Sequence, residues 1–128
     1  MSRIVLDSSA LLAILNREAG ADKLTPGLLT NATVSTVNLA EVQSKLVSRG
    51  LHPEDAWDAA IGPVRESEPF TIEQARIAGD LVAQTCPLGL SLGDRACLAL
   101  GIALGAAVYT ADQSWKGLRL GIRIHHIR

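Results

Sequence analysis

Aromatic residues are scarce in this chain: two tryptophans, one tyrosine and one phenylalanine make up 3% of its 128 residues. Leu, Val, Ile and Ala must therefore fill any core, and a hydrophobic content of 48% is enough to do so. That content excludes a disordered chain, which buries too little apolar surface to offset the entropy of ordering. Cysteine is scarce too. Cys86 and Cys97 show neither CxxC spacing nor a disulfide framework. Both stand in apolar stretches and are expected to be small core residues in a reducing cytoplasm. A charge excess is missing: the formal net charge is −1. No global basic field exists to coat nucleic acid, although a local groove remains possible. Long apolar runs are missing as well. The longest uncharged one, Ala96 to Val108, is too short to span a bilayer and reads as a buried helix. The N-terminal apolar run is broken by Asp7-Ser8-Ser9 before a signal core forms. There is no GxSxG elbow, Walker loop or GxGxxG fingerprint, and no repeat or linker.

What remains is an alternation of strand-like and helix-like segments suited to one domain over residues 1–128. Ile4-Val5-Leu6 reads as a strand buried on both faces, followed by a helix from about Ala10 to Arg17. A short helix between Gly20 and Leu29 is disturbed by Pro26-Gly27. Ala32 to Ser35 is the next strand, and Asn38 is expected to open a helix that Gly50 closes. Pro53 begins a helix to Ile61. Glu68 to Ile72 reads as a short strand or link, and Glu73 to Gln84 as helix. Ser91 caps Leu92 to Leu104, Ala107 to Thr110 is a strand, Gln113 to Lys116 a helical turn, and Gly121 to Ile127 a final strand. This pattern predicts an α/β fold with a parallel sheet flanked by helices.

Four acidic residues fall where strand-like runs give way to helix-like ones: Asp7, Glu41, Asp94 and Asp112. In open α/β sheets such junctions gather at the carboxyl edge, where ligands bind. Each acid alone has an ordinary explanation. Asp7 and Asp112 could cap helices, Asn38-x-x-Glu41 and Ser91-x-x-Asp94 match capping boxes, and Glu41 could pair with Lys45. Together they mean something else. Two carboxylates about 5 Å apart repel by roughly 3 kcal/mol at an effective dielectric near 20. Four gathered acids need a cation or protonation. An all-oxygen set suits Mg²⁺ or Mn²⁺, with helix N-termini adding favourable field.

The segments Val5-Leu6-Asp7-Ser8-Ser9-Ala10-Leu11-Leu12-Ala13, Asn38-Leu39-Ala40-Glu41-Val42, Leu90-Ser91-Leu92-Gly93-Asp94-Arg95-Ala96-Cys97 and Thr110-Ala111-Asp112 resemble those of PIN domains. The likeness is greatest to the VapC-type toxins of bacterial toxin–antitoxin pairs. The resemblance implies a Rossmann-like sheet and a Mg²⁺- or Mn²⁺-dependent endoribonuclease. It maps the acidic set onto Asp7, Glu41, Asp94 and Asp112, with Asp7 and Asp94 the strongest candidates for direct metal ligands. Ser9 and Thr110 match small hydroxyl positions that could orient a carboxylate. Arg95 could contact phosphate or point to solvent. As partners the resemblance implies an RNA substrate, a second copy in a homodimer, and a cognate VapB-type antitoxin, with no membrane.

Other classes fit less well. A PIN-type nuclease acting in RNA processing or on DNA structures is the alternative, and the short chain favours the toxin reading. A haloacid-dehalogenase-like phosphatase would want an Asp where Ser9 stands, and a receiver would want further acids near Asp7. The charge is uneven: seven acids against Arg65 and Arg76 between Glu54 and Asp80, then five basic residues against Asp112 alone from Arg95 onward. That last third is either a phosphate-facing patch or ordinary surface. His125 and His126 would point to opposite faces of a strand and are not expected to share a metal, and His52 has no ligand-like neighbour. Gly101-x-x-x-Gly105 is expected to serve close helix packing. Trp57 and Trp115 are expected in core or dimer packing.

Overall fold

The computed structural model describes residues 2–128. Five short strands form one parallel sheet: β1 (Ile4–Leu6), β2 (Ala32–Ser35), β3 (Glu66–Glu68), β4 (Ala107–Thr110) and β5 (Ile124–His126). Their order is β3-β2-β1-β4-β5. The chain therefore builds outward from β1 in one direction, then returns to build from β4 in the other. The point of reversal lies between β1 and β4, and in open parallel sheets this is where a crevice opens.

Helices connect the strands: α1 (Ser8–Asn16), α2 (Pro26–Leu29), α3 (Thr36–Ser48), α4 (Pro53–Ile61), α5 (Ile72–Asp80), α6 (Val82–Thr85) and α7 (Leu92–Leu104). Strand periodicity divides the core into two layers. Ile4 and Leu6 face one side with Leu11, Val34, Leu39, Val42 and Leu46. Val5 faces the other with Cys97, Leu98, Leu100, Val108 and Trp115. Full burial of each aliphatic side chain stabilises by about 1.5–3 kcal/mol, so leucine and valine replace the missing aromatics in number. None of the described helices is long and apolar enough to cross a membrane.

Several expectations are corrected. Asn38 does not open α3: Ser35 does, its hydroxyl accepting from the Val37 amide, so the helix takes in Thr36 and Val37. Pro26 does not disturb a helix but starts one, behind the Thr25 cap. The extended piece near residue 68 lies earlier, at β3, and the following helix breaks into α5 and α6. Cys86 is exposed, and only Cys97 is core. Gly101 does pack closely, but against β4: an added Cβ would lie 2.5 Å from Val108 Cγ2. Gly105 instead ends α7 in the left-handed conformation. Trp115 is 1% exposed, whereas Trp57 is 41% exposed on α4.

Candidate active site

Asp7 continues the face of Val5, and Thr110 continues the face of Val108. The β1–β4 register sets Leu6 beside Tyr109, so the next residues on each strand meet. The Thr110 hydroxyl donates to Asp7 Oδ2 at 2.6 Å. Ser9 donates to the same carboxylate at 2.8 Å, and the Ala10 amide reaches Oδ1 at 2.8 Å. The two hydroxyls are themselves fixed: Ser9 Oγ accepts from the Ala111 amide and Thr110 Oγ1 from the Asp112 amide. Ser9 and Thr110 therefore lock Asp7 and tie the end of β1 to the end of β4.

Asp7 is also the N-cap of α1 and is buried. Burial is the largest influence on it and pushes its carboxyl up to about 6, against the Thr110, Ala10 and Ser9 hydrogen bonds; the charge of Asp94 pushes the same way as burial. A helix returning to the start of a parallel strand begins at the sheet's carboxyl edge, so the first turn of α7 brings Asp94 to this place. Its Oδ2 accepts from the Ser91 amide at 2.9 Å in a capping box. Its carboxyl is raised too, first by desolvation, with the charges of Asp112 and Glu41 adding to it.

Glu41 lies on α3 against the first turn of α7. Its Oε1 accepts from Ser8 Oγ at 2.5 Å and from Asn38 Nδ2 at 2.9 Å. Asp112 caps the 3-10 turn Gln113–Trp115, with Oδ1 accepting from the amide and hydroxyl of Ser114. The Cys97 thiol lies beneath the group. Burial chiefly holds its pKa well above normal, and the charges of Asp7, Asp94 and Glu41 raise it further.

All four acids thus do structural work, as each did when considered singly, and Asp7 and Asp94 also feel the charge of others in the set. Among the described residues, Glu41 Oε2, Asp94 Oδ1 and Asp112 Oδ2 accept no hydrogen bond from the protein. Among the described residues no ion pair reaches any of the four; those present join Arg3 to Glu66 and Glu68, and Arg128 to Glu18. The expected Glu41–Lys45 pair is not among them. Arg95 turns away from the acids and donates to the Ala78 carbonyl at 2.9 Å. No three of the described His, Cys, Asp and Glu side chains stand close enough to make a ready coordination shell. The donor chemistry still fits a hard divalent cation: carboxylate oxygens, several of them free, carrying charge that no described ion pair offsets.

His52 and His125 stay apart from this chemistry, whereas His126 stands near Asp112, whose backbone and charge both act on it. His125 stacks on Tyr109 with ring centroids 4.7 Å apart, and His52 Nδ1 caps α4. The sequence pattern passed over two residues of the acidic group. Asn38 matches a cap in the sequence, but its buried amide donates to Ser8, Glu41 and the Gly93 carbonyl. Gly93 provides the surface on which Glu41 lies. The signal that could have flagged Asn38 is an amide standing between apolar Val37 and Leu39.

An all-parallel sheet with uncompensated carboxylates at its point of reversal defines an α/β domain with an acidic crevice at the carboxyl edge. The chain belongs to the PIN domain family, whose profile matches residues 4–119. No curated protein matches the sequence. Solved structures share the fold. One is VapBC2 from Rickettsia felis bound to a DNA fragment from its promoter, with TM-score 0.72 and 20% identity over 96% of this chain and 97% of that one. DNA-bound VapBC from Salmonella typhimurium gives TM-score 0.75 and 18% identity over the whole of both chains. VapC20 of Mycobacterium tuberculosis, a Sarcin-Ricin loop cleaving toxin, gives 0.74 and 22% over 94% and 98%.

Proposed function

We propose that this protein is a divalent-metal-dependent endoribonuclease and the toxin of a VapBC-type toxin–antitoxin pair. The observation that carries the reading is the gathering of Asp7, Glu41, Asp94 and Asp112 at one edge of the sheet with no ion pair to any of them among the described residues: Asp94 feels the charges of Asp112 and Glu41, and Asp7, raised chiefly by its burial, feels that of Asp94. Asp7 and Asp94 would hold a Mg²⁺ or Mn²⁺ ion directly, with Glu41 and Asp112 completing the site directly or through water. Bound there, the ion supplies neutralisation of the scissile phosphate and a water of lowered pKa. The chain's own residues do the rest. Ser9 and Thr110 hold the Asp7 carboxylate in one orientation. Asp112 or Glu41, each with a free oxygen, orients the attacking water or accepts its proton. In-line attack leaves a 5′-phosphate and a 3′-hydroxyl.

The fold shared with chains of VapBC complexes supports an antitoxin partner, whose C-terminal segment would lie over the site. A basic side chain there would do electrostatically what the cation does. Large apolar residues are exposed in two regions: Val47, Leu51, Trp57 and Ile61 around α3 and α4, and Ile72, Val82, Leu88 and Leu92 around α5 to α7. Two such regions support two protein contacts, one with the antitoxin and one with a second copy.

The deciding experiment incubates total bacterial RNA with the protein and Mg²⁺ or Mn²⁺, then with EDTA, and maps the cut ends. Cleavage with either ion, its loss in EDTA and its loss in folded Asp7→Asn are expected. Undiminished cleavage by Asp7→Asn would defeat the site assignment. A substrate preference for DNA would favour the alternative PIN nuclease. Light scattering of the isolated protein should give twice the monomer mass of 13.5 kDa.

A further inference from the structure

We infer that Gly93 is a positioning residue for Glu41: the side chain it lacks is the space that the Glu41 carboxylate occupies, and Asn38 with Ser8 holds the carboxylate there. The inference rests on the reading that Glu41 belongs to the nuclease site. Gly93 is the second residue of α7, in ordinary helical conformation. Glycine in a helix destabilises by about 1 kcal/mol relative to alanine, so nothing in the backbone favours it here. The capping box between Ser91 and Asp94 needs no glycine between them. The environment does. A Cβ built on Gly93 would overlap Glu41 Oε2, Cδ and Oε1, and these three atoms are its nearest neighbours. If Gly93 served only close helix approach, the Cβ would meet backbone or fixed core side chains. It meets a carboxylate at the end of a flexible side chain, which can swing away while the helices stay.

The other side of the seat is built to prevent that swing. Glu41 Oε1 receives Ser8 Oγ at 2.5 Å and Asn38 Nδ2 at 2.9 Å. Asn38 is buried, and its Nδ2 also lies 3.0 Å from the Gly93 carbonyl and 3.1 Å from Ser8 Oγ. One amide thus ties α1, α3 and α7 together under a single carboxylate. Oε1 is occupied by this clamp and Oε2 is left free, so the clamp also decides which oxygen Glu41 offers. A methyl group at position 93 would remove the seat, separate Glu41 from both donors and leave the fold in place.

The test is a double-mutant cycle of Gly93→Ala with Glu41→Gln, with Ser8→Ala as a second probe of the clamp. Cleavage of a fluorogenic random-sequence single-stranded RNA with Mn²⁺ gives kcat and KM. Thermal melting checks the fold, and a crystal structure of metal-free Gly93→Ala locates the carboxylate. Gly93→Ala should melt at or above the wild-type temperature. Its kcat should fall by about 10²-fold, the effect of roughly 1 Å of misplacement, with KM almost unchanged. It should cost nothing further in the Glu41→Gln background, and the crystal structure should show Glu41 turned away from Ser8 and Asn38. Ser8→Ala should lose activity in the same direction, again only while Glu41 is present. Equal losses with and without Glu41, wild-type kcat in Gly93→Ala, or an unmoved carboxylate would overturn the inference. If Gly93→Ala does not fold, the Ser8→Ala cycle decides. If wild type does not cleave RNA, or Asp7→Asn does, the nuclease reading fails, and the crystallographic position of Glu41 still decides whether Gly93 seats it.

Discussion

Burial draws the Asp7 carboxyl towards its protonated form. In the metal-free folded protein Asp7 releases its proton at about 6, whereas the unfolded chain releases it near 3.8. Between these values the folded state binds more protons, so this group's contribution to stability falls as pH rises through the window. The loss is about 3 kcal/mol at most by neutral pH. Asp7→Asn removes the titration and should melt above metal-free wild type at pH 7, with the difference shrinking towards pH 4. Calorimetric scans across that range check it; a difference that is constant or grows on acidification contradicts it. Thr110→Val removes a hydrogen bond that favours the ionised form, so the Asp7 midpoint, followed by carboxyl NMR, should rise further. Asp7 and Asp112 were legible in the sequence because each follows a strand, β1 and β4; the same expectation is corrected for Glu41, which lies inside α3, and for Asp94, whose helix α7 follows a 3-10 turn rather than a strand. Asn38 was not legible, because Asn-x-x-Glu imitates a local capping box while its amide is used across three helices. Local pattern cannot distinguish those uses.

Helix α7 is where sequence and structure agree most closely, and the reasons are physical. Ser91 and Asp94 make both hydrogen bonds of the capping box, and Gly105 supplies the left-handed end. Ser91→Ala should cost about 1 kcal/mol in urea unfolding, as loss of an N-cap typically does. Gly101→Ala should be worse than its helix propensity suggests. The new methyl would press on Val108 Cγ2 at 2.5 Å and Ile122 Cδ1 at 3.1 Å, and crowding of that kind costs about 1–3 kcal/mol. Equal or greater stability of Gly101→Ala would show that β4 yields. The strands β2 and β4 matched their expected limits because they are flanked by clear helix signals. The edge strands β3 and β5 did not. With a neighbour on one side only, they keep the three residues that pair, and the rest of the alternating Gly121–Ile127 stretch departs from the sheet.

The order of the sheet lies beyond any local signal. Alternating elements imply a parallel sheet, but only the reversal between β1 and β4 sets Asp7 beside Thr110 and brings Asp94 and Asp112 to the same crevice. The resemblance to PIN domains supplied that arrangement before the physics of short segments could. One property follows from the crevice as a unit. On the proposed reading, a divalent ion bound among the four acids would stabilise the fold that holds it. A divalent ion at 100 times its Kd should stabilise wild type by about 2.7 kcal/mol and leave Asp7→Asn little changed. Equal shifts in both proteins would mean that the ion binds elsewhere.

The two tryptophans give the protein an optical readout of its own. Trp57 is open to water on α4, while Trp115 is enclosed three residues after Asp112. Iodide should therefore extinguish the red-shifted emission of the first and spare the blue-shifted emission of the second. What survives the quencher reports on the turn that carries Asp112, so any response of that turn to an added divalent ion can be followed without a label.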